Sequence, residues 1–82
     1  MATTSGLVQR LNIGEIFTCV WIGPTENNTE LLLVRSDGTT ISSELASVLV
    51  QTLSTAHTNY RQVTAVHADD NAEITGMRMD PI

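Results

Sequence analysis

Residues 41–60 read ISSELASVLVQTLSTAHTNY, a stretch with no glycine or proline. Ile41, Leu45, Val48, Leu49, Thr52, Leu53 and Ala56 recur at intervals of three and four residues. That spacing places them on one stripe of an α-helix. Ser42 or Ser43 is placed to cap the N-terminus, and Glu44 in the first turn suits the positive end of the helix dipole. The end is expected near His57 to Tyr60, with Asn59 as a residue that tolerates the left-handed cap conformation. Tyr60 continues the stripe if the helix runs that far.

Around this helix the pattern changes to a period of two, the signature of strands. From Gly6 to Ile13, Leu7, Gln9, Leu11 and Ile13 alternate with Val8, Arg10 and Asn12. Gly14-Glu15 offers a bulge or tight turn. A second strand is expected over Ile16–Ile22. Phe17, Cys19 and Trp21 lie on one of its faces and Thr18, Val20 and Ile22 on the other, so both faces are largely apolar. Gly23-Pro24-Thr25-Glu26-Asn27-Asn28 reads as a turn, with Pro24 ending the strand because it has no N–H to give. Glu30 to Arg35 reads as the third strand, Ser36-Asp37-Gly38 as a turn and Thr39-Thr40-Ile41 as a short extended piece. After the helix, Val63–Ala68 and Glu73–Met79 form a hairpin about Asp69-Asp70-Asn71-Ala72, stopped by Asp80-Pro81. Residues 1–5 are small and polar and are expected to fray. The whole, 1–82, is read as a single α+β domain with the order β-β-β-α-β-β.

Five strands with a helix between the third and fourth is the element order of an OB-fold barrel. In this layout the chain resembles the small OB barrels of bacterial B-pentamer toxin subunits. The segments that carry the resemblance are Gly6-Leu7-Val8-Gln9-Arg10-Leu11, the helix Ser43–Tyr60 and the pair Val63–Met79, together most of the chain. It is a likeness of pattern rather than of signature residues. It implies a five-stranded antiparallel barrel, sugar binding and ring assembly. Those subunits carry a signal peptide and usually a disulfide, and this sequence has neither, so no binding residue is carried over. An open antiparallel sheet with the helix on one face satisfies the same pattern.

Composition excludes several functions. A chain of 82 residues buries only about 60–65% of the surface its unfolded form exposes, so its core is small. Domains of this size draw extra stability from disulfides, metals or association. Cys19 is the single cysteine, which excludes an internal disulfide, and no metal or cofactor motif is present. Self-association remains. Nine acidic residues oppose four arginines, and there is no lysine. A net charge of −5 opposes binding to nucleic acid or to an anionic membrane. No charged-then-apolar leader opens the sequence, and Leu31-Leu32-Leu33-Val34 is far too short to span a bilayer. The expected compartment is the cytosol, with a secreted chain already freed of its leader as the alternative.

No catalytic motif stands out, and the chain is expected not to be an enzyme. His67 with Asp69, Asp70 and Glu73 is the densest polar cluster. It has the elements of a weak cation site or an acid–base pair, but it lacks the spacing and glycine of a calcium loop, and acidic residues and Asn are also ordinary turn chemistry. His57 suits the negative end of the helix as well as it suits a base. Cys19, between Phe17 and Trp21, is expected to be buried and inert. Trp21 is expected in the core, with an interface or a sugar-stacking platform as the alternatives; it is the one candidate ligand-binding residue. Val20 and Ile22 on the two-sided second strand, with Met77 and Met79 on the last, are the candidate interface residues. The reading is a small non-enzymatic interaction module, a homo-oligomer with a protein or glycan partner. Carbohydrate or small neutral-ligand binding is the alternative, and a small enzyme using His67 with Asp69 or Asp70 comes last.

Overall fold

The computed structural model describes residues 2–79. Asp80-Pro81, expected to stop the last strand, lies outside the described residues. The elements are β1 (Ala2–Ile13), β2 (Phe17–Thr25), β3 (Asn28–Arg35), α1 (Ser43–Asn59), β4 (Gln62–His67) and β5 (Ile74–Met79). The five strands form one antiparallel sheet in the order β3-β2-β1-β4-β5, with the helix inserted between the third and fourth strands as expected. The edge strands β3 and β5 meet at a single parallel bridge, Leu33–Glu73, where Leu33 N–H donates to Ala72 O at 2.8 Å. The sheet is therefore curled until its edges touch, but no continuous ladder closes it.

β1 is shared between two neighbours. Its first half pairs with β4, from Ala2–His67 to Leu7–Gln62, and its second half with β2, from Leu7–Gly23 to Ile13–Thr18. Residues 2–5 are thus strand, not a frayed tail, because β4 supplies their ladder partners. The hand-over needs a bend. Gly6, at φ +151°, provides it in a backbone region that side chains rarely adopt. A Cβ on Gly6 would come within 2.9 Å of Gly23, and one on Gly23 within 1.9 Å of Asn28 O. The chain crosses itself here with no space for side chains.

Directly after the bend, Val8 stands opposite Ile22 but Arg10 stands opposite Trp21, so Gln9 is an extra, bulged residue. A bulge reverses the alternation. Val8 faces the core before it and Leu11 packs against the core after it, while Arg10 turns to the outer face. Gly14-Glu15, expected as a bulge or tight turn, lies in the short bend that joins β1 to β2; the bulge of β1 is at Gln9. Pro24 does not end β2. It lies where the β2–β3 ladder skips from Ile22–Glu30 to Thr25–Asn28, so no ladder bond is asked of it. Thr39-Thr40-Ile41 is a bend, not a strand, although Ile41 is buried.

Ser42 caps α1, accepting from Leu45 N–H at 3.1 Å, and Tyr60 rather than Asn59 takes the left-handed position, at φ 54°. The buried helix residues are Ala46, Leu49, Leu53 and Ala56. Leu45 and Val48, expected in the stripe, are exposed. The stripe is rotated toward alanine because small side chains let the helix axis approach the sheet closely. Its sheet partners in the core include Val8, Val20, Ile22, Leu32, Val34, Val63, Ala65 and Ile74.

Gly23→Ala is expected to lower the unfolding free energy by about 2 kcal/mol or more, since backbone must move to admit the carbon. Gly76→Ala, whose added carbon would approach Val66 no closer than 4.0 Å, serves as the control and is expected to do far less. Urea unfolding of both proteins makes the comparison; equal stabilities would contradict the crossing at Gly23.

Candidate functional site

β2 carries apolar side chains on both faces, and the structure assigns the faces opposite fates. Thr18, Val20 and Ile22 point inward and are fully buried, Val20 at 0% and Ile22 at 1% exposure. They belong to the protein's own core, which corrects the expectation that Val20 and Ile22 form an interface. The core uses that face completely. Met77 and Met79 stand opposite Ala65 and Val63 and pack, half-buried, against the same core. Phe17, Cys19 and Trp21 point outward, and Trp21 is half-buried rather than in the core.

Cross-strand neighbours line up on this outer face. Arg10, Trp21 and Leu31 form one row across β1, β2 and β3; Asn12, Cys19 and Leu33 form the next. Phe17 then stands beside Arg35. Phe17 is 39% exposed and Leu31 45%. Both aromatics of the face lie under a guanidinium: Arg10 is 5.5 Å from the Trp21 ring centre, and Arg35 is 5.1 Å from that of Phe17. Each such contact stabilises by about 0.5–1 kcal/mol at an exposed position.

The two arginines differ in their remaining partners. Arg35 Nε donates to Asp37 at 3.0 Å and its Nη1 to Glu73 at 3.4 Å. The bond to Asp37 holds the guanidinium above its usual range. Asp37 in turn is held below the ordinary carboxylate value, first by the Thr39 backbone N–H and then by the Thr39 side chain. Among the described residues, no carboxylate pairs with Arg10. Its donors remain available at the mouth of a shallow cleft of about 290 Å³ lined by Gln9, Arg10, Trp21, Glu26, Asn27 and Thr29. The bulge builds this cleft. It aims Arg10 over Trp21, and it lets Gln9 Nε2 donate to Gly23 O at 3.0 Å, which fixes the wall beside the β2–β3 turn.

The histidines lie elsewhere. His67 is 7% exposed, whereas Asp69 and Asp70 are exposed in the following turn. Its Nδ1 donates to Ala68 O at 2.9 Å and to Asn71 O at 3.2 Å, and its Nε2 lies 3.1 Å from Thr4 Oγ1. The Thr4 hydroxyl also bonds the Glu30 carboxylate, so it bridges β1, β3 and β4. Both ring nitrogens of His67 thus have partners: Nδ1 on carbonyls of the β4–β5 connection and Nε2 beside the Thr4 hydroxyl of β1. His57 Nδ1 donates to Val8 O at 2.8 Å, tying the helix C-terminus to the carbonyl next to the bulge. Glu73 bonds Arg35 and Thr40. Among the described residues, no three His, Cys, Asp or Glu side chains converge to hold a metal, and no helix is long and apolar enough to cross a membrane.

Comparison with protein-family models, curated proteins and solved structures gives no match.

Sequence reasoning named Trp21 but missed Arg10, Gln9 and the β2–β3 turn as its surroundings. The bulge that aims Arg10 leaves no composition signal, since Val8-Gln9-Arg10 alternates as well as any regular strand.

Thr4→Val removes the hydroxyl that joins His67 to Glu30, leaving two polar groups without it. A loss of about 1–2 kcal/mol is expected, against little change for Asp70→Asn in the exposed turn. Equal urea midpoints for the two variants would contradict the bridging role of Thr4.

Proposed function

We propose that this protein is a non-enzymatic binding module that works through the outer face of β1, β2 and β3, and that its first partner is another copy of itself. The observation that carries this is the second apolar face of β2. The inner face is consumed by the core, yet Phe17, Cys19, Trp21, Leu31 and Leu33 form an apolar strip on the outside. A small domain does not gain stability by exposing such a strip, whereas association returns that stability. A cytosolic setting suits the free thiol of Cys19 on that face. Catalysis by His67 is disfavoured because its ring is buried, with Nδ1 held by two backbone carbonyls and Nε2 beside a Thr4 hydroxyl that Glu30 holds.

Sedimentation equilibrium at micromolar concentration is expected to give a mass above that of one chain, and Leu31→Glu to return it to one chain with the circular dichroism unchanged. A wild-type protein that stays monomeric throughout would overturn the reading.

A second reading is favoured by the cleft itself. A half-buried indole beside Asn27, Thr29, Glu26 and Gln9 offers a stacking surface with hydrogen-bonding groups around it, the chemistry that suits a neutral carbohydrate. A ring stacking there displaces or lies beside the Arg10 guanidinium, so binding is expected to shift the emission of Trp21, the single tryptophan. Titration with a panel of neutral mono- and oligosaccharides that leaves the emission unchanged would remove this alternative.

A further inference from the structure

The outer sheet face is not the only uncovered apolar surface. On α1, Leu45 and Val48 are exposed, Val48 at 55%. Glu44 precedes Leu45 and stands one turn before Val48, so the three share one flank of the helix. Glu44 is the only carboxylate of α1, and the helix contains no lysine or arginine. The two surfaces are complementary in chemistry. One has Arg10, with no carboxylate partner among the described residues, beside Trp21 and Leu31; the other has Glu44 beside Leu45 and Val48.

They cannot meet within one chain. The helix lies on the inner side of the sheet, next to β1 and β3, with Ala46, Leu49, Leu53 and Ala56 in the same core as Val20 and Ile22. The row Arg10–Trp21–Leu31 is on the opposite face. We infer that the sheet face of one copy docks on the Glu44–Leu45–Val48 flank of the next copy's helix, with Arg10 of one opposite Glu44 of the other. This rests on the self-association reading and gives it a geometry. Because the two docking surfaces differ, the contact is head-to-tail. Each added copy leaves one sheet face and one helix flank open, so assembly continues past the dimer until a ring closes. An oppositely charged pair at the contact also explains how a chain of net charge −5 tolerates its own neighbour.

Paired single variants test the geometry, because each destroys a different half. Leu31→Glu spoils the sheet face and Val48→Glu the helix flank. Both residues are exposed, so the fold should survive in each, as read by circular dichroism. Each variant alone is expected to sediment as a monomer, with association weakened at least about tenfold. An equimolar mixture is expected to form dimers and nothing larger, since one good sheet face and one good helix flank remain. The charge reversal gives a second arm that does not depend on apolar contacts. Arg10→Glu and Glu44→Arg should each weaken assembly, and the double variant should restore it. If Val48→Glu assembles like the wild type, or the mixture stays monomeric, the head-to-tail contact is wrong while self-association through the sheet face stands. If the wild type is itself monomeric, both readings fall.

Discussion

The structure depends on one strand serving two partners. β1 runs beside β4 over its first half and beside β2 over its second, and the change of partner is made between Gly6 and Arg10. Gly6 and Gly23 let two backbones approach without side chains between them. Gln9 then takes up the extra length as a bulge. His57, from the end of the helix, donates to the carbonyl of Val8 beside that bulge, so the helix is tied to the bend as well. Without the bend, β2–β3 and β4–β5 would lie in a flat sheet with no reason for β3 to touch β5.

The same bend makes the candidate site. A regular β1 would keep Val8 and Arg10 on one face. The bulge keeps Val8 in the core and sends Arg10 out over Trp21, next to the turn that carries Glu26 and Asn27. Core and candidate site are thus two products of one irregularity. The inner face of β2 is buried in the core that the alanines and leucines of α1 share, and the outer face, also apolar, is left uncovered by the described residues.

Much of this was legible in the residues. Ser42 as a cap, an uninterrupted apolar period of three to four and an acidic first turn specify the helix. Alternation and turn residues specify five strands and their order. What was not legible follows from long-range contacts. Periodicity allows Leu45 and Val48 in the buried stripe; only the close approach of helix and sheet selects Ala46 in their place. Pro24 reads as a stop, yet it is tolerated within β2 because the ladder is already irregular there. Alternation cannot say which face of β2 is inside, so Trp21 is expected in the core and Val20 and Ile22 at an interface, and the structure has these faces the other way round. The bridge from His67 through Thr4 to Glu30 joins residues 63 and 26 positions apart in sequence, and no local pattern encodes it.

The central claim is that the outer face of β2 is open in one copy and covered in the assembly. Trp21 lies on that face and is the single tryptophan, so acrylamide quenching of its fluorescence, measured as the protein is diluted, reads the claim directly. The account predicts that quenching becomes more efficient on dilution, over the same concentration range in which the sedimenting mass falls. A quenching constant that does not change while the mass falls would show that the copies meet through some other surface.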